Sequence, residues 1–590
     1  MSSASHRAPC CSGDGEAYPL YRFVRGGFRL AATAFYGSIV CDQDAASLPP
    51  VGEPVLLCFN HPNSLTDPIV LMGACSRMIR FIAKDTLWKV PIVGWLVRCA
   101  AAVPVQKKEE HSGDIDNGQT QQGVLDAWSQ GHIVAVSPEG GSLMRTMFKK
   151  PFKKGYLYWS VDSVFQHWED EAYKVHIVPS GIVFLHAFSW RSEVMVRFGT
   201  PFPVDRSLLQ QHGATQEMTN FDPSDERRRA VAQSVVNELV SRVEVAMDGL
   251  AMNIPPPRLP GVPEEVEGDW AAVQSGIVAA RVLCPNAAEK VSLSKWVDLI
   301  KYFAKELQKA ENETLDDNLQ DYYQDLKHHG LSDARMHAVA DGGRPSTCLL
   351  LCRLTLQALK SFLLFACALP GVVWWFPLWL LCRFTESIFV RKGRLVCDGV
   401  VIRRGSNFDL IASTKMMIGF FYFLVASTAA VVLTFRWVPS LVGVIGWKGD
   451  AVGCVAGLLV ACFLFPCLIL LSMRLCESGM AAVLAALELK GLISINDEDL
   501  QELEATRSEL HSRLSPLMTD SVQALVRSET RLDRAPWWSI WKRQKSDWHE
   551  CFLPEDLTWS GLVEDGNRAR CCGVAAPLIQ HGACKADHKS

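Results

Sequence analysis

The sequence predicts an α/β domain, a mixed sheet flanked by helices, followed by transmembrane helices toward the C-terminal end. Between residues 54 and 205, short runs of strand composition alternate with helical stretches, as expected for a parallel or mixed sheet. Long apolar runs are concentrated between about residues 349 and 475, whereas both flanks have the composition of soluble protein. Two of these runs are as long as the roughly 20 residues that a membrane-crossing helix needs, or longer. We therefore expect an integral membrane protein.

The bulk properties of the 590-residue chain give expectations about partners and compartment. The formal net charge is -4, so the total charge gives no reason to expect a nucleic-acid partner. The first twenty residues contain no apolar segment of the signal-peptide type. The 20 cysteines are scattered, and several lie inside apolar runs. We therefore expect a reduced protein that faces the cytosol.

Residues 1–45 are predicted to form an N-terminal tail and an amphipathic helix on the membrane surface. Residues 20–40 mix aromatic and apolar residues with three arginines, a composition that suits a helix lying in a bilayer interface. Packing of this helix on its own domain is an equally supported alternative.

Residues 46–205 are assigned to the α/β domain because they contain four runs of strand composition. These runs are VLLCF (55–59), IVAVS (133–137), HIVPSGIVFL (176–185) and EVMVRFG (193–199). Helical stretches separate them, so the strands are predicted to form one sheet.

Residues 206–345 are predicted to form a mostly helical and charged cytosolic region. A proline-rich break spans residues 253–268 and indicates an exposed connector. After it, residues 296–330 carry apolar side chains at mixed three- and four-residue steps, which is typical of a pair of amphipathic helices.

Residues 346–385 are predicted to form a hairpin that enters the bilayer and returns. The apolar run over 349–383 is interrupted by Pro370 and Gly371. Each half is short for a straight crossing of about 20 residues, so a bend at Pro-Gly is expected.

Residues 416–475 are predicted to form two transmembrane helices, built from the apolar runs 416–435 and 451–473. Six basic residues crowd the loop between 391 and 415, whereas the loop 436–450 has two. The positive-inside rule therefore places the first loop in the cytosol. Residues 484–590 are predicted to be a cytosolic C-terminal tail.

The stretch FNHPNSLTDP (59–68) follows a strand-like run and contains the pair His61 and Asp67. A carboxylate that holds one imidazole nitrogen leaves the other free to take a proton from a hydroxyl. Acyl transfer to an alcohol needs this, because an alcohol is a poor nucleophile until its proton is being removed. Positions six apart point about 120° away from each other on a helix, so the pair requires a turn. A His and an Asp at this spacing are also common by chance.

The stretch VSPEGGS (136–142) follows another strand-like run and is a candidate anion site. Two glycines let backbone N–H groups approach an anion, and Ser142 adds a hydroxyl donor. Basic residues follow closely: Arg145, Lys149, Lys150, Lys153 and Lys154. A phosphate-bearing acceptor suits this surface, although a turn with a solvated charge run is the alternative interpretation.

Together with AAAVPVQKK (100–108) and IVPSGIVF (177–184), these stretches resemble the glycerophospholipid acyltransferase superfamily. Its blocks are His-x4-Asp, a Pro-x-Arg-type block, Pro-Glu-Gly and a short Val-Pro strand. The His-x5-Asp spacing and Pro-Glu-Gly-Gly-Ser are similar to those of the fungal-type glycerol-3-phosphate/dihydroxyacetone-phosphate acyltransferases of the endoplasmic reticulum. The resemblance covers roughly residues 20–475.

The resemblance implies a role for each matching position. His61 would be the general base, and Asp67 would be the carboxylate that orients it. Lys107 occupies the position of the arginine in the second block, where it keeps the charge but not the bidentate geometry. The implied substrate-binding residues are Lys107, Glu139, Gly140, Gly141, Ser142 and Arg145.

The implied activity is transfer of a fatty acyl group from acyl-CoA to the sn-1 position of glycerol-3-phosphate, with dihydroxyacetone phosphate as a further acceptor. The product, lysophosphatidate, feeds phospholipid and triacylglycerol synthesis. Acyl-CoA is a co-substrate, and no cofactor or metal is expected. The implied location is the endoplasmic reticulum membrane, with the catalytic domain facing the cytosol. The alternatives are a 1-acylglycerol-3-phosphate acyltransferase and a catalytically silent membrane scaffold.

Overall fold

The computed structural model describes residues 19–523 apart from a set of gaps. The gaps are 37, 42–47, 76, 108–116, 143, 145, 186, 189, 191, 220–224, 255–269, 285–291, 398–399, 404–408, 445–464 and 521. The chain divides into two compact units. The first contains residues up to 253 together with 408–413, and the second contains 254–407 and the residues from 414 onward.

The first unit is built on an eight-stranded mixed sheet, which confirms the predicted α/β fold. Its strands are β1 (Ser38–Cys41), β2 (Val55–Phe59), β3 (Ile79–Lys84), β4 (Val103–Val105), β5 (Ile133–Val136), β6 (Lys174–Phe184), β7 (Glu193–Phe198) and β8 (Phe202–Asp205). Their order is β1-β7-β6-β2-β5-β3-β4, and β8 pairs with the first half of β6. Strands β7 and β8 run antiparallel to β6, whereas the other pairs are parallel.

Helices cover both faces of this sheet. They are α1 (Pro19–Tyr36), α2 (Thr66–Ala74), α3 (Val93–Cys99), α4 (Gly118–Ser129), α5 (Gly155–Gln166), α6 (Arg206–Gln211) and α7 (Glu226–Leu250). Every residue of β2 is buried, as expected for a central strand covered on both faces. Helices α4, α5 and α7 form one core with the sheet, which includes Trp128, Phe165 and Val236. The catalytic candidates therefore extend from a rigid, buried framework.

The first unit extends beyond the predicted boundary at residue 205. Helices α6 and α7 belong to it, so the predicted helical region 206–345 is divided between the two units. Helix α7 is rich in charged residues, but Val235, Val236 and Leu239 on one face have no exposed surface. Its apolar face completes the core over the sheet, which composition alone does not reveal.

Helix α1 lies within the segment 1–45 that the sequence assigns to a membrane-surface helix. One face packs on the first unit, and Tyr21, Val24 and Tyr36 are at most 4% exposed. On the other face, Phe23 is 73% exposed and Leu30 is 70% exposed. Packing of α1 on its own unit is thus confirmed, and contact of the exposed face with a bilayer stays a prediction.

The second unit consists mainly of helices. They are α8 (Trp270–Leu283), α9 (Leu293–Leu307), α10 (Glu313–His328), α11 (Asp333–Gly342), α12 (Thr347–Gly393), α13 (Asp409–Val444), α14 (Phe465–Ser494) and α15 (Asp497–Leu514), with a hairpin of β9 (Arg394–Cys397) and β10 (Val400–Arg403). The first turn of α13 belongs to the first unit. The predicted helical pair over 296–330 is confirmed as α9 and α10. Within the described ranges, three helices are long and apolar enough to cross a membrane: Thr347–Phe389, Leu410–Ala429 and Cys467–Ser494.

The predicted hairpin over 346–385 is wrong, because α12 continues without interruption through Pro370 and Gly371. Proline is tolerated in apolar helices when neighbouring groups satisfy the carbonyl that it leaves free. Gly371 has a packing role. A Cβ at this position would collide with the Ser472 hydroxyl and lie 3.0 Å from the Leu468 carbonyl oxygen of α14. Pro-Gly therefore marks a close helix crossing and not a bend.

The predicted later spans are only partly tested. The run 416–435 lies within α13, whereas most of the run 451–473 falls in the gap 445–464. Helix α14 continues to Ser494, past the predicted start of the tail at residue 484, and the position of that boundary stays a prediction. Leu489 and Leu492 are nearly fully buried within the second unit. Asn496 then caps α15 by accepting from the Asp499 backbone N–H at 2.6 Å. The tail beyond residue 523 lies outside the described residues.

Candidate active site

The predicted pair His61 and Asp67 is brought together by the turn between β2 and α2. The distance between His61 Nδ1 and Asp67 Oδ2 is 2.8 Å. Asp67 has no exposed side-chain surface, whereas the His61 side chain is 23% exposed. The outer nitrogen, Nε2, makes no hydrogen bond with any residue that the structure describes. A buried carboxylate thus holds an imidazole whose second nitrogen is open to a substrate.

The turn itself creates this geometry, because its backbone also binds the carboxylate. The Asn63 N–H donates to Asp67 Oδ2 at 2.8 Å, and the Thr66 N–H donates to the Asn63 carbonyl at 3.0 Å. Ser64 adopts a positive φ of 48°, an uncommon conformation for a residue with a side chain. Burial raises the pKa of the Asp67 carboxyl, and its hydrogen bonds with His61 and the Asn63 N–H oppose that shift. The paired carboxylate is therefore suited to stabilising a positive imidazolium.

Asn63 fastens the turn to the rest of the first unit. Its side-chain Nδ2 donates to the Tyr36 hydroxyl at 2.8 Å and to the Ala187 carbonyl at 2.9 Å. Tyr36 donates to the same carbonyl at 2.8 Å. Burial raises the pKa of Tyr36 well above its usual value, so the hydroxyl keeps its proton. The sequence indicated Asn63 only as a turn residue and did not indicate Tyr36, because these side-chain contacts join segments that are separate in the chain.

Glu139 connects the glycine-rich loop to the turn between His61 and Asp67, which is the candidate catalytic turn. Its Oε1 accepts from the His61 backbone N–H, and its Oε2 accepts from the Lys149 backbone N–H, each at 3.0 Å. The residue is 6% exposed, and burial raises the pKa of its carboxyl against the effect of those two hydrogen bonds. Both oxygens therefore contact backbone, and the contacts favour a positioning role over the substrate-binding role that the resemblance implies.

The loop 140–142 lies beside two lysines. Lys107 Nζ donates to the Gly140 carbonyl at 2.7 Å, which places its charge at the loop. Gly140 has a φ of 74°, a left-handed conformation that favours glycine. A Cβ there would lie 3.0 Å from Cγ and Cε of Lys153, so the lysine stem runs alongside Gly140. Gly141 and Ser142 are half-buried and follow directly.

The two adjacent lysines of the basic run have different surroundings. Lys154 Nζ donates to Asn237 Oδ1 on α7 at 2.8 Å, whereas the exposed Lys153 side chain is in contact with Gly140. Both lysines belong to one basic run in the sequence, and the sequence alone does not show that their contacts differ. Arg145, the remaining predicted binding residue, lies outside the described residues.

The described residues contain no cluster of three or more His, Cys, Asp or Glu side chains that could hold a metal ion. The expectation that the chain needs no metal or cofactor stays a prediction. The described groups provide an open base, a loop with backbone N–H groups, and two cations. This arrangement suits deprotonation of a hydroxyl on a substrate that carries an anionic group.

Two family models match the chain. Residues 40–183 match the Acyltransferase family, and residues 276–521 match the family "Glycerol-3-phosphate acyltransferase 2 C-terminal domain". The first match contains the catalytic turn and the glycine-rich loop. The second contains α12, α13 and α14.

Two relatives from Saccharomyces cerevisiae match at low identity. The chain is 21% identical over 314 residues to glycerol-3-phosphate O-acyltransferase 1 and 25% identical over 315 residues to glycerol-3-phosphate O-acyltransferase 2. Each match covers 52% of this chain but only 36% and 37% of the respective relatives, so it spans little more than a third of their length.

Among solved structures, the 1-acyl-sn-glycerophosphate (LPA) acyltransferase PlsC from Thermotoga maritima is 18% identical. It covers 38% of this chain and 79% of its own, with a TM-score of 0.24, which is too low to support an argument. The family models and the yeast relatives confirm the predicted resemblance. One part of the chain is similar to an acyltransferase domain and a later part to a glycerol-3-phosphate acyltransferase C-terminal domain, and the chain resembles the fungal-type glycerol-3-phosphate acyltransferases of the glycerophospholipid acyltransferase superfamily.

Proposed function

We propose that this chain transfers a fatty acyl group from acyl-CoA to the 1-hydroxyl of glycerol-3-phosphate. The observation that carries the proposal is the 2.8 Å pairing of His61 Nδ1 with the buried Asp67 carboxylate, which leaves Nε2 open. The yeast relatives are named as glycerol-3-phosphate O-acyltransferases, and this supports the choice of acceptor.

His61 acts as the general base. Its Nε2 takes the proton of the acceptor hydroxyl while that oxygen attacks the thioester carbonyl carbon of acyl-CoA. The resulting imidazolium is stabilised by Asp67, to which it stays hydrogen-bonded. The tetrahedral intermediate then breaks its C–S bond, and the CoA thiolate receives the proton from the imidazolium. The products are 1-acylglycerol-3-phosphate and CoA, and His61 returns to its neutral form without any added cofactor.

The acceptor phosphate binds at the loop 140–142. Lys107 reaches the loop through its contact with the Gly140 carbonyl, and the Lys153 stem lies along the same glycine. Two ammonium groups and the Gly141 backbone N–H provide charge and a donor for the phosphate, whereas the Gly140 N–H already donates to the Ser137 carbonyl at 3.1 Å. Dihydroxyacetone phosphate carries the same phosphate and a primary hydroxyl, so it serves as a second acceptor.

The reaction takes place at a membrane. Three helices of the described chain have the length and composition to cross a bilayer. We place the chain in the endoplasmic reticulum membrane with its catalytic unit in the cytosol, because acyl-CoA and glycerol-3-phosphate are supplied in water. The product has an acyl chain and enters the bilayer, where phospholipid and triacylglycerol synthesis continues.

Acyl transfer by the purified full chain in detergent tests the proposal. Labelled acyl-CoA is offered with glycerol-3-phosphate, dihydroxyacetone phosphate or lysophosphatidate, using wild type and His61→Ala. Activity on either three-carbon phosphate, lost in the variant, is the expected result. Activity on lysophosphatidate alone would instead identify a 1-acylglycerol-3-phosphate acyltransferase. Folded protein that is inactive on all three acceptors would favour the silent scaffold.

A further inference from the structure

The first turn of α13 packs within the first unit. Ile411 and Ala412 have no exposed surface, and Ser413 is 5% exposed. Residues 408–413 group with the first unit, although the rest of the helix belongs to the second. A short segment far along the chain therefore forms part of the structure that contains His61 and Asp67.

Ser413 contacts the catalytic turn through its hydroxyl. Its Oγ lies 3.1 Å from Thr66 Oγ1 and 3.4 Å from the Asn63 carbonyl oxygen, which are positions 347 and 350 residues away in the chain. Thr66 is the first residue of α2 and directly precedes Asp67. The Asn63 carbonyl also accepts from the Thr66 N–H, so Ser413 joins the hydrogen bonds that close the turn.

We propose that Ser413 is a positioning residue for catalysis, which holds the turn between His61 and Asp67 in its working geometry. Ser413 does not face the reacting atoms, and it acts through Thr66 and the Asn63 carbonyl. Loss of its hydroxyl leaves buried polar groups with one partner fewer, which favours displacement of the turn. General-base catalysis is sensitive to such displacement, because the base must reach the hydroxyl proton at hydrogen-bond distance.

This proposal rests on the proposed acyltransferase activity. Turnover of Ser413→Ala by the purified full chain gives the first test, and Ser361→Ala provides a matched control. Ser361 is also a buried serine of a long apolar helix, and its hydroxyl donates to the Gly479 carbonyl at 3.1 Å, away from the catalytic turn. We expect Ser413→Ala to lower kcat about tenfold and to leave KM for both substrates unchanged. Ser361→Ala should keep the wild-type kcat.

A double-mutant cycle distinguishes positioning through the turn from a general loss of structure. Thr66→Val removes the hydroxyl that Ser413 contacts while keeping the shape of the side chain. Because Ser413 acts through Thr66 as well as through the Asn63 carbonyl, the loss of kcat in the double variant should be smaller than the product of the two single losses. A double variant whose loss of kcat equals the product of the two single losses would overturn the proposal. An unchanged kcat in Ser413→Ala would also overturn it.

Hydrogen exchange of the backbone amides over residues 61–67 gives a readout that does not depend on activity. We expect faster exchange in Ser413→Ala than in wild type or Ser361→Ala. Equal exchange in all three proteins would contradict the positioning role even if the chain acylated no acceptor. Inactive wild-type protein with the expected exchange pattern would overturn the proposed function and leave the structural link intact.

Discussion

The two units each contain a buried carboxylate with a basic partner, but the partners differ. In the first unit, Asp67 is fully buried and pairs with His61. In the second unit, Asp333 is 4% exposed and pairs with Arg507, with Nε–Oδ1 and Nη2–Oδ2 distances of 2.9 and 3.2 Å. The Tyr322 hydroxyl donates to the same carboxylate at 2.9 Å.

The comparison shows that the partner, rather than the buried carboxylate, indicates the function. Arginine stays protonated at any physiological pH, so the Asp333 pair cannot exchange a proton with a substrate. Arg507 also donates to the Val282 carbonyl, and the pair thereby connects α8, α11 and α15. Histidine can lose and regain a proton, and His61 has an open nitrogen. The first pair is therefore suited to chemistry, and the second is structural.

Replacing the catalytic partner gives the largest expected effect. We expect His61→Ala to reduce acyl transfer by about 10³-fold, the order of magnitude of general-base catalysis. Its unfolding temperature should fall by less than that of the Arg507→Leu variant below, because the Asn63 N–H still donates to the Asp67 carboxylate. Turnover and a melting curve on the same preparation check both points. A residual activity within tenfold of wild type would assign the base to another group.

Replacing the structural partner reverses this pattern. Arg507→Leu leaves the Asp333 carboxylate buried without its cation, which destabilises a protein by about 3–5 kcal/mol. We expect a clear drop in the unfolding temperature and near-normal turnover in the protein that remains folded. The double variant Arg507→Leu with Asp333→Leu should recover much of the stability. If Arg507→Leu is as stable as wild type, the pair does not hold the three helices together.

A second histidine of the first unit, His132, has a different partner from His61, because it contacts an arginine. Its Nδ1 accepts from Arg80 Nε at 3.1 Å, and burial together with Arg80 and Arg77 lowers its pKa to about 4. The unfolded chain binds this proton near the ordinary histidine pKa of 6.5, whereas the folded chain does not bind it until the pH is about 4. The contribution of neutral His132 to stability is therefore fully present above pH 6.5 and is lost as the pH falls from 6.5 to about 4.

The corresponding measurement compares melting temperatures of wild type and His132→Gln across this pH window. Glutamine can still accept from Arg80 but does not titrate, so the variant should lose less stability toward low pH. Parallel curves for the two proteins would show that His132 does not contribute to the acid sensitivity.

The smallest expected effect compares two neighbouring lysines of the first unit. Lys153→Ala removes the cation whose stem lies along Gly140, and we expect KM for glycerol-3-phosphate to rise about tenfold, as for loss of one charge-assisted hydrogen bond. Lys154→Ala, whose ammonium contacts Asn237, should leave KM unchanged. Neither variant should alter KM for acyl-CoA in the same assay. Equal KM values for glycerol-3-phosphate in both variants would show that Lys153 does not bind the acceptor phosphate.

Short sequence patterns predicted correctly those parts of the first unit whose structure depends on neighbouring residues. The strand runs, the His61–Asp67 turn and the glycine-rich loop follow from neighbouring residues, and their order resembles a known family. The hairpin prediction was wrong because Pro370 and Gly371 were interpreted as a bend, whereas the missing side chain of Gly371 allows α14 to pack closely. The length and composition of the sequence segments did not show that α7 completes the core of the first unit. They also did not show that α14 continues to Ser494.

Long-range contacts explain what the sequence could not show at the site. Ser413 contacts Asn63 from 350 positions away and Tyr36 contacts it from 27 positions away, and an isolated serine in an apolar run has no distinctive pattern. Lys153 and Lys154 are identical in type and adjacent, and only the local chain direction before α5 separates their surroundings. Glu139 was assigned to substrate binding because it directly precedes the glycine-rich loop. Its two carboxylate oxygens instead accept hydrogen bonds from two backbone N–H groups.

That carboxylate has a consequence for the size of the acceptor. By bonding to the His61 N–H, Glu139 sets the separation between the base and the loop that begins at Gly140. In the proposed function, this contact therefore fixes the distance between the base that takes the hydroxyl proton and the loop that binds the phosphate. We expect acceptors whose hydroxyl and phosphate are separated by one carbon more or fewer than in glycerol-3-phosphate to contact only one of these two groups at a time.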